Sequence, residues 1–139
     1  MDATNETLDV LVVGAGLSGI AAGYHLQTKS PTRTYAILES REAMGGTWDL
    51  FRYPGIRSDS DMLTMGYSFR PWTDPRAISP GAEIREYIET AAREERIDRK
   101  IRFGHTARRT SWSSEEGSRR RRRARLLGPR PDVGFRPEV

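Results

Sequence analysis

The chain of 139 residues contains no cysteine. Disulfides and thiolate metal centres are therefore excluded. Histidine is scarce as well: His25 falls on a predicted helix and His105 in a predicted loop. Neither stands near a carboxylate cluster at ligand spacing, so no metal centre is expected. No apolar run approaches the roughly 20 residues that span a bilayer, so no transmembrane helix is expected. Met1 to Asp9 is acidic and lacks the basic-then-apolar layout of a secretion signal. Together these absences fit a cytoplasmic location. The length suits one domain with a real core, not two.

The formal charge is +4 and the isoelectric point about 9.8, values that raise the question of nucleic acid. Where the charge sits answers it. Residues 117–139 hold eight arginines against Asp132 and Glu138, a balance of +6. Residues 1–116 hold 15 Lys and Arg against 17 Asp and Glu, a balance of −2. The basic pI belongs to the tail. No aromatic interleaves the five adjacent arginines, as a single-strand-binding surface would require, so no specific nucleic-acid partner is expected. The tail also has three prolines and three glycines in 23 residues and no lysine. It cannot bury enough apolar surface to offset its conformational entropy, and disorder is expected over 117–139, as is flexibility over 1–8.

Asp9-Val10-Leu11-Val12-Val13 is a nearly continuous apolar run, the pattern of a strand buried on both faces of a parallel sheet. Gly14-Ala15-Gly16-Leu17-Ser18-Gly19 follows. A helical pattern then runs to about Thr28, with Leu17, Ile20 and Tyr24 on one face, until Ser30-Pro31 breaks it. Thr34 to Glu39 reads as a second strand, giving one right-handed strand–helix–strand unit. Arg41 to Pro80 is irregular, yet Trp48, Phe51, Tyr53, Tyr67, Phe69 and Trp72 argue that it packs. Ser79-Pro80 reads as N-cap and first residue of a helix over about 82–96. The apolar face of that helix is Ile84, Tyr87, Ile88, Ala91 and Ala92. Lys100 to Phe103 reads as a third strand, and Arg108 to Trp112 as a shorter fourth.

A lone GxGxxG is weak evidence, but here a strand precedes it, a helix follows, and an acid, Glu39, lies 20 residues beyond Gly19. Gly14 permits the tight turn, Gly16 the approach of a diphosphate, and Gly19 close packing of helix on strand. The helix N-terminus offers N–H groups and partial positive charge to the phosphates. Glu39 can accept hydrogen bonds from the adenosine ribose. An acid rather than an arginine at this strand tip disfavours a 2′-phosphate, which points to FAD or NAD over NADP. The bland alternative is a glycine-rich turn beside an ordinary surface glutamate.

The run from Gly45 to Trp72, GGTWDLFRYPGIRSDSDMLTMGYSFRPW, resembles the flavin-side loop of class B flavoprotein monooxygenases. More narrowly it is similar to the ethionamide-activating branch of the Baeyer–Villiger group, with likeness from about Asp9 to Ser113. The resemblance implies FAD and NADPH as cofactors. It also implies a small-molecule ketone or sulfide substrate, with oxygen inserted into a ketone or added to sulfur or nitrogen. It assigns Gly14, Gly16, Ser18 and Gly19 to the FAD diphosphate and Glu39 to the ribose. Gly46, Thr47, Trp48, Asp49 and Leu50 would run along the ribityl chain and flavin. Asp59 matches the active-site aspartate, which in the family meets an arginine that stabilises the anionic oxygenated flavin. Arg57 and Ser58 lie where NADPH approaches, and Ala107 matches a backbone contact to adenine. From residues alone, turn capping by Asp59 or Asp61 is the favoured reading.

The family also needs a second GxGxxG and an FxGxxxHxxxW[PD] element, and neither occurs in the 139 residues. The expected architecture is thus α/β, a Rossmann-like FAD-binding half-domain of three parallel strands over 9–116. It is expected to be inactive alone, with an exposed apolar edge on the first strand. A different reading is a free-standing FAD or NAD module completed by a downstream partner polypeptide. The tail suggests a shift of reading frame near Gly117, because out-of-frame GC-rich DNA yields Arg, Pro, Gly and Ala without Lys. Translating the underlying DNA in its other two frames tests this. One frame should show a β-rich run ending in glycine and later a second GxGxxG; their absence from both disproves the shift.

Overall fold

The structure, a computed structural model, describes residues 8–108 and 110. Three parallel strands form one sheet in the order β1-β2-β3: β1 (Val10–Val13), β2 (Tyr35–Leu38) and β3 (Ile101–Arg102). Val10 to Val13 pair in register with Tyr35 to Leu38, and Ile37 and Leu38 with Ile101 and Arg102. Helix α1 (Leu17–Lys29) joins β1 to β2. Single-turn helices α2 (Thr47–Leu50) and α3 (Met62–Met65) lie in the long segment that follows. Helix α4 (Gly81–Glu94) and a 3-10 turn (Ile97–Lys100) lead to β3. The architecture is the expected α/β one of three parallel strands with helices.

The strand buried on both faces is β2, whose four residues are all buried. The same expectation for β1 is corrected. It lies at the border of the described sheet, Val10 to Val12 are half-buried, and Val13 is 62% exposed. The third strand is shorter than expected. The chain leaves α4 through Arg96 in the left-handed region (φ 56°) and winds Ile97–Lys100 into the 3-10 turn, so pairing starts only at Ile101. The fourth strand expected over Arg108 to Trp112 and the tail fall largely or wholly outside the described residues, as does the N-terminal segment before Leu8.

Helix α4 buries the anticipated face of Ile84, Tyr87, Ile88, Ala91 and Ala92 against Ile20, Ile37 and Ile97 of the core. Its start differs from expectation. Pro80 is the N-cap, and Ser79 caps nothing. Ser79 instead flanks a short antiparallel bridge between Arg57 and Pro80 and pairs with Ser58. Its N–H donates to Ser58 Oγ (3.1 Å), its carbonyl accepts from the Ser58 N–H (2.9 Å), and its own Oγ is buried without a partner among the described residues. Asp61 does cap a turn: its Oδ1 accepts from the Leu63 N–H (2.7 Å) at the start of α3. Of the six loop aromatics, Tyr67 is buried and Trp48, Phe69 and Trp72 pack on the core, whereas Phe51 and Tyr53 are exposed. Tyr24, Phe69, Tyr67 and Tyr87 form a stack at centroid spacings of 3.7, 4.8 and 5.3 Å. Among the described residues no helix is long and apolar enough to cross a membrane.

Two glycines set the distance between α1 and the sheet. A Cβ on Gly19 would stand 1.9 Å from the Gly14 carbonyl oxygen, whereas one on Gly23 would meet the movable Cγ2 of Ile97 at 2.8 Å. Gly19→Ala should therefore cost about 3 kcal/mol by overpacking against backbone. Gly23→Ala, helped by roughly 1 kcal/mol of helix propensity, should cost far less. Urea unfolding of both variants measures the difference, and equal costs would contradict the packing described.

Candidate dinucleotide cradle

At the carboxyl ends of the strands two glycine turns meet, and one residue ties them. Gly14 leaves β1 with φ 95° while its N–H donates to the Leu38 carbonyl (2.7 Å). Ala15 follows, fully buried. Its N–H donates to Glu39 Oε2 (2.8 Å), and its carbonyl accepts from the Gly45 N–H (2.9 Å). Gly16 is the N-cap of α1, with no side chain capping that helix. Opposite lies Gly46: a Cβ there would stand 3.0 Å from Gly16 Cα, and one on Gly16 would stand 3.4 Å from Gly46 Cα. Only glycine keeps these backbones so close, and Gly45 and Gly46 both adopt positive φ, at 120° and 56°.

Glu39 is 6% exposed, directly beyond β2. Its Oε2 faces the first turn and its Oε1 accepts from the Arg41 N–H (3.0 Å). Its backbone joins the third strand: the N–H donates to the Arg102 carbonyl (3.0 Å) and the carbonyl accepts from the His105 N–H (2.9 Å). Ala107, two residues on, is exposed beside this junction. The structure thus brings together Gly14, Gly16, Gly19, Glu39 and Gly46, with Ser18 exposed in the first turn of α1.

In α2, Thr47 and Leu50 are exposed, while Trp48 is half-buried with its ring under Gly81 at the start of α4. Arg57 and Asp59 are exposed and Ser58 is buried. Arg57 and Ser79 line a groove of about 530 Å³ with Gly55, Ile56 and Ile78. Asp59 has no ion-pair partner among the described residues. No group of acids and histidines able to hold a metal occurs among them either.

Asp49 is 3% exposed and meets three arginines that the sequence reading passed over. Arg41 Nη2 approaches Oδ2 at 2.5 Å, Arg85 Nη1 approaches Oδ1 at 3.2 Å, and Arg52 pairs with Oδ1 as well. Only Arg52, three residues on, carried a sequence signal, because one helical turn brings i and i+3 together. Burial pushes the Asp49 carboxyl up, but the Arg52 hydrogen bond and the charges of Arg41, Arg52 and Arg85 outweigh it. The carboxyl is held below the ordinary 3.8.

The NAD(P)-binding Rossmann-like domain family matches residues 12–73. Over 111 residues the chain is 60% identical to the FAD-containing monooxygenase EthA of Mycobacterium tuberculosis, covering 80% of this chain and 23% of that protein. The chain is a homologue of the FAD-containing monooxygenases. Its structural neighbours are Baeyer–Villiger monooxygenases, in agreement with the resemblance seen in Gly45 to Trp72. An oxidised steroid monooxygenase bound to NADP superimposes with a TM-score of 0.65 at 33% identity, over 71% of this chain and 20% of that one. The OTEMO complex with FAD and NADP gives 0.68 at 26% identity, over 78% of this chain and 21% of that one. The chain therefore spans about a quarter of the length of the relatives it matches.

A carboxyl held low in the fold stabilises it fully above the unfolded value and ceases to do so as pH falls through the folded value. At neutral pH, Asp49→Asn should cost about 1 to 3 kcal/mol, because a neutral amide replaces the buried carboxylate that three partly exposed arginines share. The gap in melting temperature between variant and parent should narrow once pH drops below 3.8. A gap that stays constant or widens in acid would contradict this account.

Proposed function

We propose that residues 9–116 form the FAD-binding element of an FAD- and NADPH-dependent monooxygenase of Baeyer–Villiger type. The enzyme would insert oxygen into a ketone or oxidise a sulfur or nitrogen centre. The observation that carries the reading is the pair of Ala15 hydrogen bonds, to Glu39 and to Gly45, which hold two glycine turns against each other beside an uncapped helix N-terminus. A diphosphate can approach such side-chain-free backbone closely. A Cβ on Gly46 would press on Gly16 Cα at 3.0 Å and force the turns apart, and the first N–H groups of α1 are the donors a phosphate requires.

In this reading Gly14, Gly16, Ser18 and Gly19 hold the FAD diphosphate, and Glu39 accepts from the ribose hydroxyls. Ala107 borders the adenine, while Gly46, Thr47, Trp48 and Leu50 follow the ribityl chain and flavin, with Asp49 buried behind them among its arginines. Asp59 stands beside the flavin as an electrostatic partner for a guanidinium, a pairing that low dielectric strengthens. Arg57 and Ser58 face the approach of NADPH. When bound, reduced FAD supplies the electrons that activate dioxygen, and NADPH replenishes them.

The test is binding by the purified chain, followed by quenching of flavin fluorescence. FAD should bind, and Glu39→Gln should weaken it about tenfold, the value of one charge-assisted hydrogen bond. Gly46→Val should abolish binding by straining the positive-φ backbone and forcing the two glycine turns apart. A parent chain that takes up no FAD, or a Glu39→Gln variant that binds as tightly as the parent, would overturn the assignment.

A further inference from the structure

The Asp49 cluster joins three separate segments. Arg41 follows β2, Arg52 follows α2, and Arg85 comes from α4. Three of the roughly four lone-pair sites of the carboxylate are thereby engaged. A hydroxyl of a flavin side chain would have to compete with guanidinium groups for it. The cluster instead reaches both supports of Ala15. On one side the backbone N–H of Arg41 holds Glu39 Oε1, and Glu39 Oε2 holds the Ala15 N–H. On the other, Gly45 sits between Arg85 and Asp49: a Cβ added to it would meet Arg85 Cγ at 3.0 Å and Asp49 Cβ at 3.2 Å. Gly45 then gives its N–H to the Ala15 carbonyl. Glu89 secures Arg85 from the far side (3.4 Å) and is itself held by Arg93 (3.0 Å).

We propose that Asp49 is a positioning residue for the diphosphate half of the dinucleotide, acting through Arg41 and Gly45 on the Ala15 turn rather than by touching the flavin half. This rests on reading the cradle as an FAD site. The two halves of the ligand separate the alternatives, because ADP carries the diphosphate and adenosine but no flavin.

The full 139-residue chain is titrated with FAD and with ADP as parent, Asp49→Asn, Arg41→Gln and the double variant. Amide exchange of the unliganded proteins is followed in parallel. Asp49→Asn should weaken FAD and ADP by the same factor, tenfold or more. Arg41→Gln, on a half-exposed side chain that leaves the core intact, should act in the same direction. The double variant should be no worse than the weaker single one, as expected when two residues work as a unit. The Ala15 and Gly45 amides should lose protection, while Ile88 and Ala91 in α4 keep theirs. FAD weakened with ADP unchanged would overturn the proposal in favour of a direct flavin contact. Multiplying effects of the two substitutions, or unchanged exchange at Ala15 and Gly45, would overturn it also. If the parent binds neither ligand, the cradle reading fails and the ligand half of this proposal fails with it. The exchange data alone then decide whether Asp49 holds the Ala15 turn.

Discussion

Ala15 uses both of its backbone hydrogen-bonding groups to join parts of the chain far apart in sequence, the N–H to Glu39 and the carbonyl to Gly45. A buried backbone group without a partner is costly, so each of these bonds constrains the segment supplying the other end. The first turn, the end of β2 and the second glycine turn are thereby placed as one body. Everything proposed for a bound dinucleotide follows from that placement. The glycines matter because they permit it: Gly14, Gly45 and Gly46 take positive φ, and Gly16 and Gly46 approach within the space of a missing methyl group.

Electrostatics adds a second layer around the same body. The cradle holds one buried carboxylate that faces the first glycine turn, Glu39, and another, Asp49, that faces arginines. They differ in what satisfies them. Glu39 accepts from backbone N–H groups, which cannot titrate, whereas Asp49 answers to side chains that carry full charge. The chain thus places an acceptor held by backbone N–H groups at the tip of β2 and keeps its ion-pair cluster apart from it.

Patterns of short range were legible in the sequence. The glycine spacing, the acid after β2 and the apolar face of α4 each depend on a few neighbouring residues, and all three appear where expected. Features that depend on partners distant in sequence were not. Arg41 and Arg85 carry no local sign that they converge on Asp49. Ser79-Pro80 has the chemistry of a helix start, yet Ser79 commits its backbone groups to Ser58, beside the bridge of Arg57 with Pro80. The exposure of Val13 likewise follows from the position of β1 at the border of the described sheet, not from its own composition.

The parallel register of β1 and β2 has a kinetic side. Antiparallel strands can close on a two-residue hairpin, whereas parallel neighbours need a crossover long enough to return the chain to the same end. Here that crossover is α1, which rests on the sheet through Gly19 and Gly23. Val10 cannot meet Tyr35 until the intervening segment has folded back. Ladder formation therefore waits on the return of the chain through α1, and the first glycine turn lies where strand passes into helix.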